Sequence, residues 1–126
     1  MNTVITDKCK IEQSHNEWLT CLFACEEELL HLDAVTHELQ KSVNALALQP
    51  HLHQLRHEIL LQRGVIEKLN EEVMGWAKTF SGREDKKIIS IQELIQNNKV
   101  RDKVRKTEQN IFMLKYQVNK LLSLAS

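Results

Sequence analysis

Apolar residues fall on three ladders of alternating three- and four-residue steps. The first runs Ile11, His15, Trp18, Leu22, Cys25, Leu29, Leu32, Thr36, Leu39, Val43 and Leu46. A 3-4 spacing places side chains along one side of an α-helix, because 3.5 residues per repeat nearly matches the 3.6 of a helical turn. The second ladder is Leu52, Leu55, Ile59, Gln62, Ile66, Leu69, Val73, Trp76 and Phe80. The third is Val100, Val104, Thr107, Ile111, Leu114, Val118, Leu121 and Ala125. Its phase does not join smoothly to Ile91, Leu94 and Ile95, which predicts a kink or stutter near Asn97-Asn98.

The breaks are marked by local chemistry. Ser14 followed by Glu17 offers a capping box for the first helix, although the apolar period begins earlier. Pro50 suits the first turn of a new helix and disfavours helical geometry at Gln49. Ser81-Gly82 ends the second ladder, with Gly82 free to adopt the left-handed conformation of a helix terminus. Ser90 and Glu93 form an S-x-x-E capping box, flanked by Ile89 and Leu94 in the positions of a hydrophobic staple. These signals predict one helical domain over residues 1–126, with helices at about 8–48, 50–80 and 90–124. A single narrow stripe cannot bury itself, and short connections favour antiparallel neighbours. The expected fold is all-α, an elongated up-down-up three-helix bundle with coiled-coil-like packing.

Turning helices 1 and 2 about position 49 makes facing residues sum to about 98, so that Leu46 meets Leu52 and Thr36 meets Gln62. Turning helices 2 and 3 about the second loop gives a sum near 169 and brings Thr107 beside Gln62. Thr36, Gln62 and Thr107 would then form one buried polar layer that penalises slipped registers. The plainer alternative has each reach the edge of a narrow core independently. Trp18 and Trp76 fall at the end far from Pro50, where His15 and Phe80 complete an aromatic-rich closing layer.

Charge is divided along the chain. Residues 1–50 carry three basic and eight acidic side chains, whereas residues 81–126 carry ten and five, so the net charge of zero conceals an acidic first helix and a basic third. In a parallel pair Glu26-Glu27-Glu28 and the basic run 99–106 can face each other. The run also permits phosphate neutralisation by Lys99, Arg101, Lys103, Arg105 and Lys106. No aromatic residue interleaves with it and no nucleic-acid-binding signature accompanies it, so nucleic acid is not the favoured partner.

Six histidines raise the question of a metal. Glu28-Leu-Leu-His31 is a single E-x-x-H, where carboxylate-bridged di-iron bundles use two with further carboxylates. His53 and His57, four apart, are a possible zinc or nickel pair. The ladders turn all four towards the flanks, so no cofactor is expected. The sequence contains no P-loop, G-x-G-x-x-G, G-x-S-x-G or H-E-x-x-H, and a non-enzymatic protein is expected. Three cysteines, an odd number with Cys21 and Cys25 four apart on one helix, suit reduced thiols in the cytoplasm. Met1–Lys10 has no apolar core of a signal peptide, and no apolar stretch is long enough for a membrane span.

Beyond the ladders lie Leu19, Phe23, Leu30, Leu60, Leu61, Met74, Phe112 and Tyr116. Phe23, Leu30, Phe112 and Tyr116 are the candidate contact surface for another chain, with a homodimer favoured and a different protein partner possible. Gly64 and Gly75 either admit a neighbouring helix closely or are tolerated surface glycines. His15-x-Glu17-Trp18, Glu26-Glu27-Glu28-Leu29 and Leu55-Arg56-His57-Glu58-Ile59 resemble segments of small uncharacterised bacterial helical proteins. That resemblance implies a coiled-coil-like helical fold and carries over no functional residue.

Overall fold

Three long helices pack against one another: α1 (Lys8–Gln40), α2 (Gln49–Ser81) and α3 (Ile91–Ala125). The computed structural model describes residues 3–5, 8–82 and 88–125, without the side chains of 3–5, 8, 9, 43–45 and 88. The fold is an all-α up-down-up bundle. At 1.5 Å per residue, helices of 33 to 35 residues are about 50 Å long. The ladders supply the core: Leu22, Leu29, Leu52, Ile59, Val73, Val100 and Val118 are fully buried.

α1 stops at Gln40, eight residues short of the boundary expected from its ladder. A turn at Lys41-Ser42 leads into a 3-10 turn over Val43–Leu48, and Pro50 then occupies the first turn of α2. The tighter winding of the 3-10 turn breaks the 3-4 phase. Leu46 therefore leaves the core, 73% exposed, while its expected partner Leu52 is fully buried; the Val43 side chain lies outside the described residues. Ser14, offered as a cap, is inside α1. Gly82 closes α2 with right-handed angles, φ −81° and ψ −5°, its N–H donating to Lys78 O at 3.2 Å. No left-handed residue is needed there.

The Ser90 capping box forms as expected. Ser90 N–H donates to Glu93 Oε1 at 3.1 Å, and Glu93 N–H donates to Ser90 Oγ at 3.0 Å. Ile89 is buried with Leu94 packed in the same cluster. α3 is one continuous helix through Asn97-Asn98, and its buried ladder begins at Asn97. Two short strands were not expected. β1 (Thr3–Ile5) and β2 (Ile88–Ser90) pair antiparallel, Val4 opposite Ile89, at the end of the bundle where α2 gives way to α3.

That end carries the expected aromatic layer. His15 lies 5.4 Å from Trp18 and 5.6 Å from Phe80 between ring centroids, and Trp76 stacks on Phe80 at 5.8 Å. His15 and Phe80 are buried, whereas the tryptophans are half-buried at the rim. His15 Nε2 donates to Asn97 Oδ1 at 2.8 Å, and the buried Nδ1 has no hydrogen-bond partner among the described residues.

The observed contacts set a different register from the one expected. Arg56 hydrogen-bonds Gln40 and pairs with Asp33 at 3.7 Å, so facing positions of α1 and α2 sum to 96 and 89. The turn centre has moved from position 49 into the 41–48 segment. Between the parallel helices, Glu28 pairs with Lys115 at 3.4 Å, an offset of 87 positions, and His15 meets Asn97 at an offset of 82. Thr36 and Thr107 are only 71 apart, so their heights differ by 11–16 residues, roughly 16–24 Å. They do not share a layer with Gln62. Each threonine hydroxyl donates to the carbonyl four residues back in its own helix, Thr36 to Leu32 and Thr107 to Lys103, both at 2.9 Å. Hydroxyls satisfied locally make no demand across the bundle.

Three variants test this account. Asn97→Ala strands the buried His15 N–H, and should cost about 1–3 kcal/mol in urea unfolding. Joint replacement, His15→Leu with Asn97→Leu, should cost less than the single change. Equal losses from both would show that the bond is not what holds that end. A Cβ added at Gly64 would meet nothing within 4 Å, so this is a surface glycine. Gly64→Ala should stabilise the protein by about 0.5–1 kcal/mol, and a lower melting temperature would contradict the open site.

Candidate functional site

Helix geometry decides which surfaces exist. Cys21 and Glu28 of α1 touch Glu108 and Lys115 of α3, one heptad apart on each helix, and these contacts mark the α1–α3 seam. Phe23 and Leu30 lie two positions further on, roughly 200° around α1, and are turned away from α3. Phe112 and Tyr116 follow Glu108 and Lys115 closely and lie on the outer side of α3 beside the seam. All four are exposed, at 60%, 48%, 70% and 60%. They therefore form two separate patches on different flanks instead of one surface. Leu19 packs against the core, while Leu60, Leu61 and Met74 are exposed.

A groove of about 670 Å³ runs between α2 and α3 towards the end that carries the 3-10 turn. Its sides include Leu55 from α2 and Leu114 and Leu121 from α3, all buried. Glu58 and Gln62 line it on the α2 side, and Met113, Lys120 and Leu124 on the α3 side. Gln62 Oε1 is buried there without a hydrogen-bond partner among the described residues. The ladder pattern places Gln62 in a polar layer and does not reveal the groove. A signal exists in Met113 and Leu124, apolar residues off the α3 ladder, but only a register sets them opposite Glu58 and Gln62.

The metal candidates do not converge. Glu28 is paired with Lys115, while His31, His53 and His57 are exposed. No group of three or more His, Cys, Asp or Glu side chains able to hold a metal ion occurs among the described residues. The basic run 99–106 does not pair with Glu26–Glu28, because the offset of 82–87 positions carries it past them. Lys103 instead reaches Glu72 of α2 at 3.4 Å, and Arg101 pairs with the adjacent Asp102 at 3.2 Å. Among the described residues no helix is long and apolar enough to cross a membrane.

Cys21 and Cys25 are free thiols, half-buried and buried respectively. Burial, followed by the hydrogen bond with Glu108 and the neighbouring Cys25, pushes the Cys21 thiol up to about 12. Burial also raises Cys25, against an opposing hydrogen bond from Cys21. Thiolate, not thiol, is the nucleophile, so this pair is poorly suited to covalent chemistry. Comparison with protein-family models, curated proteins and solved structures gives no match.

The thiols give a chemical test. Iodoacetamide at pH 8 should alkylate Cys21 and Cys25 far more slowly in native than in urea-unfolded protein, read by peptide mass spectrometry. Because the folded pKa of Cys21 lies above the ordinary 9.0, its contribution to stability is full below pH 9 and falls as pH rises towards about 12. Fast native alkylation would contradict the burial of the pair.

Proposed function

We propose that this chain is a non-enzymatic helical interaction or scaffold protein, cytoplasmic, whose bundle presents apolar helix faces to other chains and to further copies of itself. The observation that supports the reading is the placement of the large apolar side chains outside the ladders. Phe23, Leu60, Met74, Phe112 and Tyr116 stand at 60% exposure or more although each helix already has a filled core stripe. Single exposed apolar residues are ordinary, but aromatic and methionine side chains gathered along the flanks of one narrow bundle suit contact with further helices. The rigid bundle supplies the support, and the flanks supply the recognition. The free thiols of Cys21 and Cys25 fit a reducing compartment.

The test is size in solution together with partner capture. At micromolar concentration the wild type should sediment as a species heavier than 14.7 kDa. A triple variant with Phe23→Glu, Leu61→Glu and Phe112→Glu should be monomeric with unchanged helicity by circular dichroism. A wild type that stays monomeric at high concentration and retains no other chain in a native pull-down removes this reading.

A further inference from the structure

The α2–α3 groove has a charge pattern that specifies an occupant. Glu58 lines it from α2 and Lys120 from α3, and among the described residues neither has an ion-pair partner. The Glu72–Lys103 pair shows that level positions on these antiparallel helices sum to about 175. Glu58 is then level with Gln117, one turn or less from Lys120. Leu61 is level with Leu114 and adjacent to Met113, and His51 is level with Leu124. Leu61 and Val65 belong to the same stripe of α2 as Glu58 and Glu72, at helical steps of three, four and seven. They extend the α2 side in apolar form, at 49% and 39% exposure, while Met113 and Leu124 on the α3 side are 53% and 65% exposed.

We propose that this face is the interface for a second copy of the same chain, docked parallel about a two-fold axis along the bundle. This deepens the interaction-protein reading and rests on it. In a two-fold contact each patch must complement itself. With the axis along the bundle, the α2 side of each copy opposes the α3 side of the other at the same height. Glu58 then meets Lys120 of the second copy, twice over, while Leu61 packs against its Met113. The rival arrangement has the axis across the groove. It sets α2 against α2 and α3 against α3, so Glu58 cannot meet Lys120, and with the axis at their level it brings Glu58 to Glu58 and Lys120 to Lys120. Like charges juxtaposed at an interface are strongly unfavourable, so the charge pattern selects the parallel pair. The apolar flanks at Leu61, Met113 and Leu124 supply the area removed from water.

Charge reversal separates the alternatives. In the parallel dimer Glu58→Lys opposes two lysines, Lys120→Glu opposes two carboxylates, and each single variant should weaken self-association by about tenfold or more. An equimolar mixture of the two variants restores both attractive pairs and should give a heterodimer close to the wild type in affinity, read by sedimentation with one partner fluorescently labelled. Both positions lie on the groove lining outside the core ladders, and circular dichroism should show each variant as helical as the wild type. Phe23→Glu, on a flank away from this face, should leave the dimer intact. A wild type that dimerises but is indifferent to both reversals, or whose dimer is broken by Phe23→Glu instead, overturns this interface while the self-association reading stands. A monomeric wild type overturns the dimer itself, and the pull-down then decides the broader reading.

Discussion

The contact on which the arrangement most depends is the buried hydrogen bond between His15 and Asn97, set inside the Trp18–Phe80–Trp76 aromatic layer. α1 and α3 run parallel and are separated by the whole of α2, so no short loop fixes their relative height. Apolar stripes alone tolerate a shift of one heptad, because leucines and valines replace one another at similar volume. A buried imidazole and a buried amide do not tolerate it. Sliding either helix by a heptad would leave both groups facing hydrocarbon at a cost that no neighbouring contact offsets. From this anchor follow the Cys21–Glu108 and Glu28–Lys115 contacts further along the seam, and with them the flank on which every exposed residue stands.

Much of this is legible in the chain itself. The three ladders mark the helices, the Ser90–Glu93 box marks the start of the third, and counting from Pro50 places His15, Trp18, Trp76 and Phe80 together. The departures have specific causes. α1 ends at Gln40 without glycine or proline, and Val43 and Leu46 continue its period, so periodicity runs on through a segment that winds as a 3-10 turn. That difference moves the first turning point, the sum of level positions on α2 and α3 rises from the expected 169 to about 175, and the two shifts together dissolve the layer of Thr36, Gln62 and Thr107. Asn97 reads as a break because it is polar, although counting back three from Val100 lands on it. β1 and β2 are three residues each, too short for an alternating pattern, and their β-branched runs are the only trace.

The surface is half legible for a related reason. Exposure of Phe23, Leu30, Phe112 and Tyr116 follows from their distance from the ladders, which one helix alone decides. Whether two exposed residues on different helices share a patch depends on the rotation and height of both, and a single misplaced turn scrambles that answer. The groove between α2 and α3 belongs to this second class. So does the separation of the basic run from Glu26–Glu28, since a shift of 11–16 residues is longer than either run.

The pairing of β1 with β2 also sets an order of assembly. Val4 meets Ile89 from 85 positions away, whereas α1 and α2 are joined by a short turn and can close as a hairpin on their own. Loop closure disfavours the distant contact until intermediate ones have shortened the path. On a ribosome the first strand must wait until residue 90 has left the exit tunnel, while the hairpin behind it can already be formed. Until then the cluster of Ile11, Phe80 and Ile89 is incomplete, and the nascent chain keeps that end open longest.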